Sequence, residues 1–222
     1  MIQAFIFDLD GVIVDTAKYH FIAWRRMANS LGFDFTEAQN EQLKGVSRKE
    51  SLGLILEWGG VAKSEAEQEA LATQKNEWYR EYILQMDESE ILEGVVPFLD
   101  AAEAAGLKLG LGSSSKNATA ILQQIGLASR FGTIIDGNKH TRSKPDPEVF
   151  QLGASALGVA PSECVVFEDA EKGVDAAIAG GFTAVGVGGE NLSHAHMVIP
   201  GFQSLTPQDV LVRLSSRAAQ NL

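Results

Sequence analysis

The sequence predicts an α/β fold: a doubly wound parallel sheet into which an all-helical domain is inserted. Three observations carry this expectation. Short apolar runs recur along the chain, as parallel strands buried on both faces require. Between most of them lie Ala-, Leu- and Ile-rich stretches at helical spacing. One long interval, residues 16–90, has helical periodicity and no convincing strand.

The apolar runs are Ala4 to Phe7, Leu107 to Leu111, Thr133 to Ile135, Cys164 to Phe167 and Thr183 to Val187. The helical stretches between them are Pro97 to Ala105, Ala118 to Ile125, Pro147 to Leu157 and Lys172 to Ala179. Gly106, Gly126, Gly158 and Gly180 follow these helices as left-handed C-caps. Strand and helix alternating in this way give a Rossmann-like sheet covered on both faces. Within the insertion, the first helix carries Ala17, Phe21, Trp24, Ala28 and Leu31 on one stripe, and the last carries Leu71, Trp78, Tyr82 and Met86. Thr206-Pro207 starts a C-terminal helix, with Thr as cap and Pro at the first helical position. The expected division is a core of residues 1–15 and 91–222 with a helical cap of 16–90, hinged near Asp15-Thr16 and Glu90 to Glu93.

Composition narrows the function classes. A chain of 222 residues that is 45% hydrophobic fills a core without metal or disulfide staples. The net charge of −11 argues against nucleic acid as a partner, because phosphate-backbone affinity comes from clustered Lys and Arg. The single Cys164, set in Cys-Val-Val-Phe, reads as a buried small hydrophobe and fits a reducing compartment. No apolar run reaches the roughly 18 residues of a bilayer span, and Asp8 and Asp10 interrupt the N-terminal run, so no membrane partner is expected and the protein is expected to be soluble and cytoplasmic.

In open α/β sheets ligands bind beyond the carboxyl ends of the strands, so the residues ending each apolar run locate the chemistry. The first run ends in Asp8-Leu9-Asp10-Gly11, the second in Gly112-Ser113-Ser114-Ser115. The third leads through Asp136 to Ser143-Lys144-Pro145-Asp146, and the fourth ends in Glu168-Asp169. While the chain stays extended, Asp8 and Asp10 face one side about 6.6–6.8 Å apart, and two such carboxylates can divide the labour of nucleophile and proton carrier. With Glu168 and Asp169 at the same edge, oxygen ligands accumulate where a hard divalent cation binds. Ser113 to Ser115 precede a helix, so hydroxyls and free N–H groups point at an anion, and Lys144 is a cation for a phosphoryl oxygen.

Asp8-Leu-Asp10-Gly11-Val-Ile-Val-Asp15-Thr16, then Ser113, Lys144-Pro145-Asp146-Pro147 and Glu168-Asp169 resemble the four ordered motifs of the haloacid dehalogenase superfamily over nearly the whole chain. Further runs are similar to its β-phosphoglucomutase branch: Thr16-Ala17-Lys18-Tyr19-His20-Phe21, Leu43-Lys44-Gly45-Val46-Ser47-Arg48, Lys75-Asn76 and Ser115-Lys116-Asn117. The resemblance implies that Asp8 attacks phosphorus to form an aspartyl phosphate and that Asp10 is general acid and base for the sugar hydroxyl. It implies Mg²⁺ held by Asp8, the carbonyl of Asp10 and Asp169, with Glu168 nearby, while Ser113 and Lys144 hold the transferring group. The substrate implied is a sugar phosphate, β-D-glucose 1-phosphate exchanging with glucose 6-phosphate through β-glucose 1,6-bisphosphate as intermediate and activator, on a monomer. Substrate contacts are expected from Thr16, His20, Gly45, Ser47, Arg48, Lys75, Ser114, Ser115, Lys116 and Asn117. The chain departs from the pattern at Gly112 and Ser114, where alanines are expected.

The insertion must separate a mutase from a sugar-phosphate phosphatase, since the core motifs serve both. Ser47-Arg48-Lys49-Glu50 reads as a capping box that places Arg48 in a first helical turn, suited to a distal phosphate. Lys75 lies four residues after Leu71 and four before Tyr79, beside an apolar stripe where a charge needs a partner. His20 borders the stripe of the first helix, and the resemblance implies that it couples cap closure to Asp10. His194 and His196 are expected in a loop, and the basic run Lys139 to Arg142 has no assigned role. A nucleotide-binding reading fails on spacing: Gly110-Leu-Gly112-Ser-Ser-Ser115 lacks the third glycine of G-x-G-x-x-G, and no Gly-Lys-Ser/Thr ending follows.

Overall fold

A computed structural model describes residues 1–189 and 191–220, with side chains through residue 216. Six parallel strands are described: β1 (Ala4–Phe7), β2 (Lys108–Gly112), β3 (Thr133–Ile135), β4 (Cys164–Glu168), β5 (Thr183–Val187) and β6 (Met197–Ile199). Their order is β3-β2-β1-β4-β5-β6, with Phe7 level with Leu111 on one side and Phe167 on the other. The order reverses at β1, so the crevice beyond its carboxyl end is the position such a sheet offers to a ligand.

Alternation along the central strands sorts side chains to the two faces. Phe5, Phe7, Val165 and Phe167 join one core with Phe98 and Phe202, where Phe7 and Phe167 stack at 4.8 Å. Ala4, Ile6, Cys164 and Val166 join the other. Helices α5 (Val95–Ala104), α6 (Ala118–Gln124) and α9 (Pro207–Gln220) contribute to the first core, and α7 (Glu148–Leu157) and α8 (Glu171–Ala179) to the second. The helices α1 (Ala17–Ser30), α2 (Glu37–Glu41), α3 (Arg48–Trp58) and α4 (Glu65–Ile83) fall between β1 and α5 and enclose a third cluster around Trp24, Met27, Phe35, Leu52 and Ile55. No strand is described among them. Where the chain leaves and re-enters the sheet region, Val14 bridges Ile91, and the Leu92 N–H donates to the Ile13 carbonyl at 3.0 Å.

Several expectations shift. β2 starts one residue late, and α5 begins at Val95, which leaves Pro97 in the first turn where its missing N–H is not needed. Gly180 is right-handed; the left-handed residue is Gly181, at φ +80°. β6 was not anticipated. His196 lies in the loop before it, where its Nδ1 accepts from the Ala184 N–H at 3.1 Å. The buried stripe of α4 is Lys75, Tyr79 and Ile83, while Leu71, Trp78 and Tyr82 are half-buried. Thr206 caps α9 as expected, accepting from the Asp209 N–H at 3.2 Å. No helix among the described residues is long and apolar enough to cross a membrane.

Candidate active site

Asp8 is the first residue beyond β1, fixed there by its N–H to the Phe167 carbonyl at 2.9 Å. The chain then turns sharply, because the N–H groups of Ile13 and Val14 fold back on the Leu9 carbonyl. That turn brings the Asp10 N–H onto Asp8 Oδ2 at 3.1 Å. Asp8 Oδ1 accepts from Lys144 Nζ at 2.6 Å. Lys144 also donates to the Gly112 carbonyl at 3.3 Å and to Glu168, whose other oxygen accepts from the Ala170 N–H at 2.9 Å. Lys144 and Glu168 are buried behind Asp8, so one lysine ties the ends of β1, β2 and β4 together.

Electrostatics follow from this crowding. Burial disfavours the charged lysine, but Asp8 and Glu168 outweigh it and hold Lys144 above the ordinary lysine range. Burial, with repulsion from Asp8, pushes Asp10 up to about 8 and Asp169 up to about 7. Asp10 Oδ1 is buried without a hydrogen-bond partner. Asp169 packs against the Asp10–Gly11 turn so closely that a β-carbon at Gly11 would lie 2.1 Å from its Oδ2. The nearest cation to Asp169 is Lys44, at 3.5 Å.

The loop after β2 is braced from below. The Ser113 N–H donates to the Ile135 carbonyl at 2.9 Å, Ser113 Oγ accepts from the Ser115 N–H at 3.1 Å, and Ser115 Oγ accepts from the Asn117 N–H at 3.2 Å. Gly137 must be glycine here, since a β-carbon would lie 2.4 Å from the Ser114 carbonyl oxygen.

The helical insertion faces these loops across a cavity of about 870 Å³. The capping box forms: Ser47 Oγ accepts from the Glu50 N–H at 3.4 Å, and the Glu50 carboxylate accepts from the Ser47 N–H at 3.3 Å. Arg48, at the first position of α3, is half-buried, and loss of solvent lowers its pKa against the pull of Glu69. Lys75 is 2% exposed, with Nζ 4.2 Å from the Trp24 ring centre and 2.9 Å from His20 Nδ1. Burial first, then Arg48, drives Lys75 well below the ordinary lysine range; burial, then Lys75 and Arg48, does the same to His20.

Of the residues singled out from sequence, Asp8, Asp10, Asp169, Ser113, Ser114, Ser115, Lys116 and Asn117 line the core side of this cavity, and His20, Gly45, Ser47, Arg48 and Lys75 line the opposite side. Thr16, Lys144 and Glu168 do not reach the cavity wall; Thr16 is buried at the start of α1. Sequence reasoning missed Trp24 and Tyr79 as the walls around Lys75, Lys44 as the partner of Asp169, and Asn76, whose Oδ1 accepts from Asn117 Nδ2 at 2.9 Å. Trp24 carried a signal, four residues after His20 on the same stripe. Lys44 sits in the run Leu43-Lys44-Gly45-Val46-Ser47-Arg48 noted for its resemblance, but nothing local points to a partner 125 residues away.

Among the described residues no three acidic, His or Cys side chains converge as a ready-made metal cage. The donor chemistry nevertheless fits Mg²⁺. Asp8 repels Asp169 where burial already penalises the Asp169 charge, and Mg²⁺ commonly takes one or two carboxylates and completes its shell with carbonyl oxygen and water.

A haloacid dehalogenase-like hydrolase family model matches residues 2–181. The β-phosphoglucomutase of Bacillus subtilis is 40% identical over 207 residues, 92% of each chain. The fructose-1-phosphate phosphatase of Escherichia coli is 34% identical, over 82% of this chain and 94% of that one. A crystal structure of β-phosphoglucomutase from Clostridium difficile superposes with a TM-score of 0.94 at 40% identity, covering 99% of this chain and 100% of the other.

Proposed function

The chain belongs to the haloacid dehalogenase-like hydrolase family, and from that premise we propose that it is a Mg²⁺-dependent β-phosphoglucomutase. It interconverts β-D-glucose 1-phosphate and glucose 6-phosphate through an aspartyl phosphate on Asp8 and β-glucose 1,6-bisphosphate. Residues 16–90 act as a cap over a core of 1–15 and 91–222. The protein works as a cytoplasmic monomer, in keeping with its one buried cysteine.

The observation that carries this reading is the distribution of cations around the cavity. Lys144 is committed to Asp8 and Glu168, and Lys44 to Glu41 and Asp169. Arg48, Lys49, Lys75 and Lys116 line the cavity with no ion pair among the described residues. A hydrolase acting on one phosphate needs cations only beside Asp8. A bisphosphate needs a second set, and Arg48 on a capped helix start with Lys116 opposite supplies it.

Asp8 Oδ attacks phosphorus in line, and the bond from phosphorus to the sugar oxygen breaks. Lys144, through its bond to Asp8, sets a positive charge behind the transferring group, and the Ser113 hydroxyl on the cavity wall donates to an equatorial oxygen, where charge spreads in a loose transition state. Asp10, whose Oδ1 has no protein partner, gives its proton to the departing sugar oxygen and takes one from the hydroxyl that attacks next. Asp8, Asp169 and the Asp10 carbonyl would hold Mg²⁺, which would supply charge neutralisation there when bound. Glu168, with both oxygens occupied, positions Lys144. Between transfers the bisphosphate turns over, so each phosphate visits both ends.

Phosphorus NMR with either sugar phosphate tests the proposal, because isomer exchange and orthophosphate release are read in one tube. Arg48→Ala is expected to lower exchange at least a hundredfold while acetyl phosphate hydrolysis persists. Orthophosphate release without exchange, in the presence of the bisphosphate, refutes the mutase reading and favours the phosphatase.

A further inference from the structure

Among the described residues three polar contacts span the cleft between cap and core away from the hinge. Asn117 donates to Asn76, Lys44 pairs with Asp169, and Ser114 Oγ donates to the Gly45 carbonyl at 3.3 Å. The first two involve groups that the proposed reaction claims. A distal phosphate competes for Asn117, and a divalent cation competes for Asp169. The third joins a hydroxyl to a main-chain carbonyl of two residues that line the cavity, and it ties up no charged group.

Both ends of that contact are rigidly held. On the core side, Ser114 is in the loop pinned by the Gly137 N–H to the Ser115 carbonyl at 3.0 Å and by the tight approach of Gly137 to the Ser114 carbonyl. On the cap side, Gly45 sits at φ +71°, a conformation that aims its carbonyl, and it lies flat on the core edge, with Ala170 Cβ 3.5 Å from where its own Cβ would be. An alanine at position 114, as expected from the family pattern, lacks the donor. The contact is therefore specific to the serine this chain carries.

We propose that Ser114 is a positioning residue: its hydroxyl latches the cap through Gly45 and stabilises the closed state independently of substrate and metal. The proposal rests on the cap-and-core reading above. It predicts a latch that lowers the cost of closure without touching the transferring group. One neutral hydrogen bond changes an equilibrium constant about fivefold, and closure enters the apparent affinity for any ligand that needs the closed cap.

The test compares Ser114→Ala and Ser114→Thr with the parent enzyme in Mg²⁺. For Ser114→Ala the expected result is a KM for glucose phosphate raised about fivefold with a much smaller change in kcat, and a smaller loss with acetyl phosphate, a donor too small to need the cap, than with the sugar phosphate. Ser114→Thr, which keeps the hydroxyl, is expected to restore the parent KM. An unchanged KM in Ser114→Ala overturns the latch. So does a matching loss with acetyl phosphate, which would put the hydroxyl on the phosphoryl group, and so does a Tm drop with both substrates impaired, which would make the serine merely structural. If the parent forms no isomer, the mutase reading falls, yet the KM for orthophosphate release from the same sugar phosphate still reports the latch.

Discussion

Gly173→Ala should damage this enzyme although glycine-to-alanine changes inside helices ordinarily stabilise by about 1 kcal/mol. Gly173 lies in α8, and a β-carbon there would sit 1.9 Å from both Cδ and Oε1 of Glu168, against 3.4 Å or more for an ordinary contact. The carboxylate must retreat by about 1.5 Å, and being 1% exposed it has no solvent to retreat into. Its bonds to Lys144 and to the Ala170 N–H are then lost. Breaking one partner from a buried ion pair costs about 3–5 kcal/mol, so after the helix gain a net loss of about 2–4 kcal/mol remains. For a chain of this size that lowers Tm by roughly 5–15 °C. Lys144 freed from Glu168 shifts relative to Asp8, and a misplacement of about 1 Å costs about a hundredfold in turnover. Thermal melts by circular dichroism and acetyl phosphate turnover measure the two effects. The cause is isolated by repeating Gly173→Ala in a Glu168→Ala background, where the added methyl has room and should be neutral or stabilising. A raised Tm with parental turnover in the single variant refutes the argument.

Lys75→Met should raise Tm while abolishing mutase exchange, because it removes a buried cation held well below its ordinary pKa by burial and Arg48. With the folded pKa lowered, the unfolded chain binds more protons across that window and parental stability rises with pH. The gain from Lys75→Met should therefore be largest near neutrality and shrink as pH approaches about 10.4, and a gain independent of pH contradicts the cause. Gly11→Ala, at φ +75° and facing Asp169, should weaken Mg²⁺ binding by calorimetry about tenfold or more, and an unchanged affinity removes Asp169 from the cation site. Cys164, its thiol pushed up to about 11 by burial and Glu163, is about one-thousandth thiolate at pH 8 and should resist thiol reagents until urea unfolds the chain.

How far the site could be read in advance depended on chain direction. Asp8, Ser113, Lys144, Glu168 and Asp169 were legible because each follows an apolar run, and parallel strands deliver their carboxyl ends to one edge whatever the helices do. The cap was legible as helix but not as surface. On α4 the polar Lys75 interrupts the hydrophobic pattern, so the stripe drawn through Leu71, Trp78 and Tyr82 is rotated from the buried one through Lys75, Tyr79 and Ile83. Only the pairing of α4 with α1, which sets Trp24 and His20 against Lys75, shows why a lysine is tolerated there. β6 escaped notice because three residues, one of them exposed, are too short a pattern to separate from loop. Gly181 was missed for Gly180 because two adjacent glycines leave the left-handed position undetermined until the helix has a measured end.

The two halves of the site carry opposite strain, and this explains why each needs what the other lacks. On the core edge, Asp10 and Asp169 are crowded and their protonated forms favoured; on the cap, Lys75, His20 and Arg48 are crowded and their neutral forms favoured or their charge weakened. The cap cluster is not relieved by direct pairing, for Lys75 meets His20 and aromatic faces rather than a carboxylate; on the core edge Lys144 and Lys44 pair with Asp8, Glu168 and Asp169 and leave Asp10 without an ion pair among the described residues. Were stability the sole demand, Asp10 and Lys75 would form a salt bridge and the cavity between them would close. A ligand bearing hydroxyls between two phosphates relieves both at once, since its anionic groups satisfy the cations and its hydroxyls give Asp10 a proton to move. The same arrangement gives water alone much less purchase, because a water molecule supplies no second anion to Arg48 and leaves the cap's repulsion in place. On the proposed mechanism, discrimination between a sugar hydroxyl and solvent therefore resides in the cap's unrelieved charge as much as in the carboxylates proposed to react.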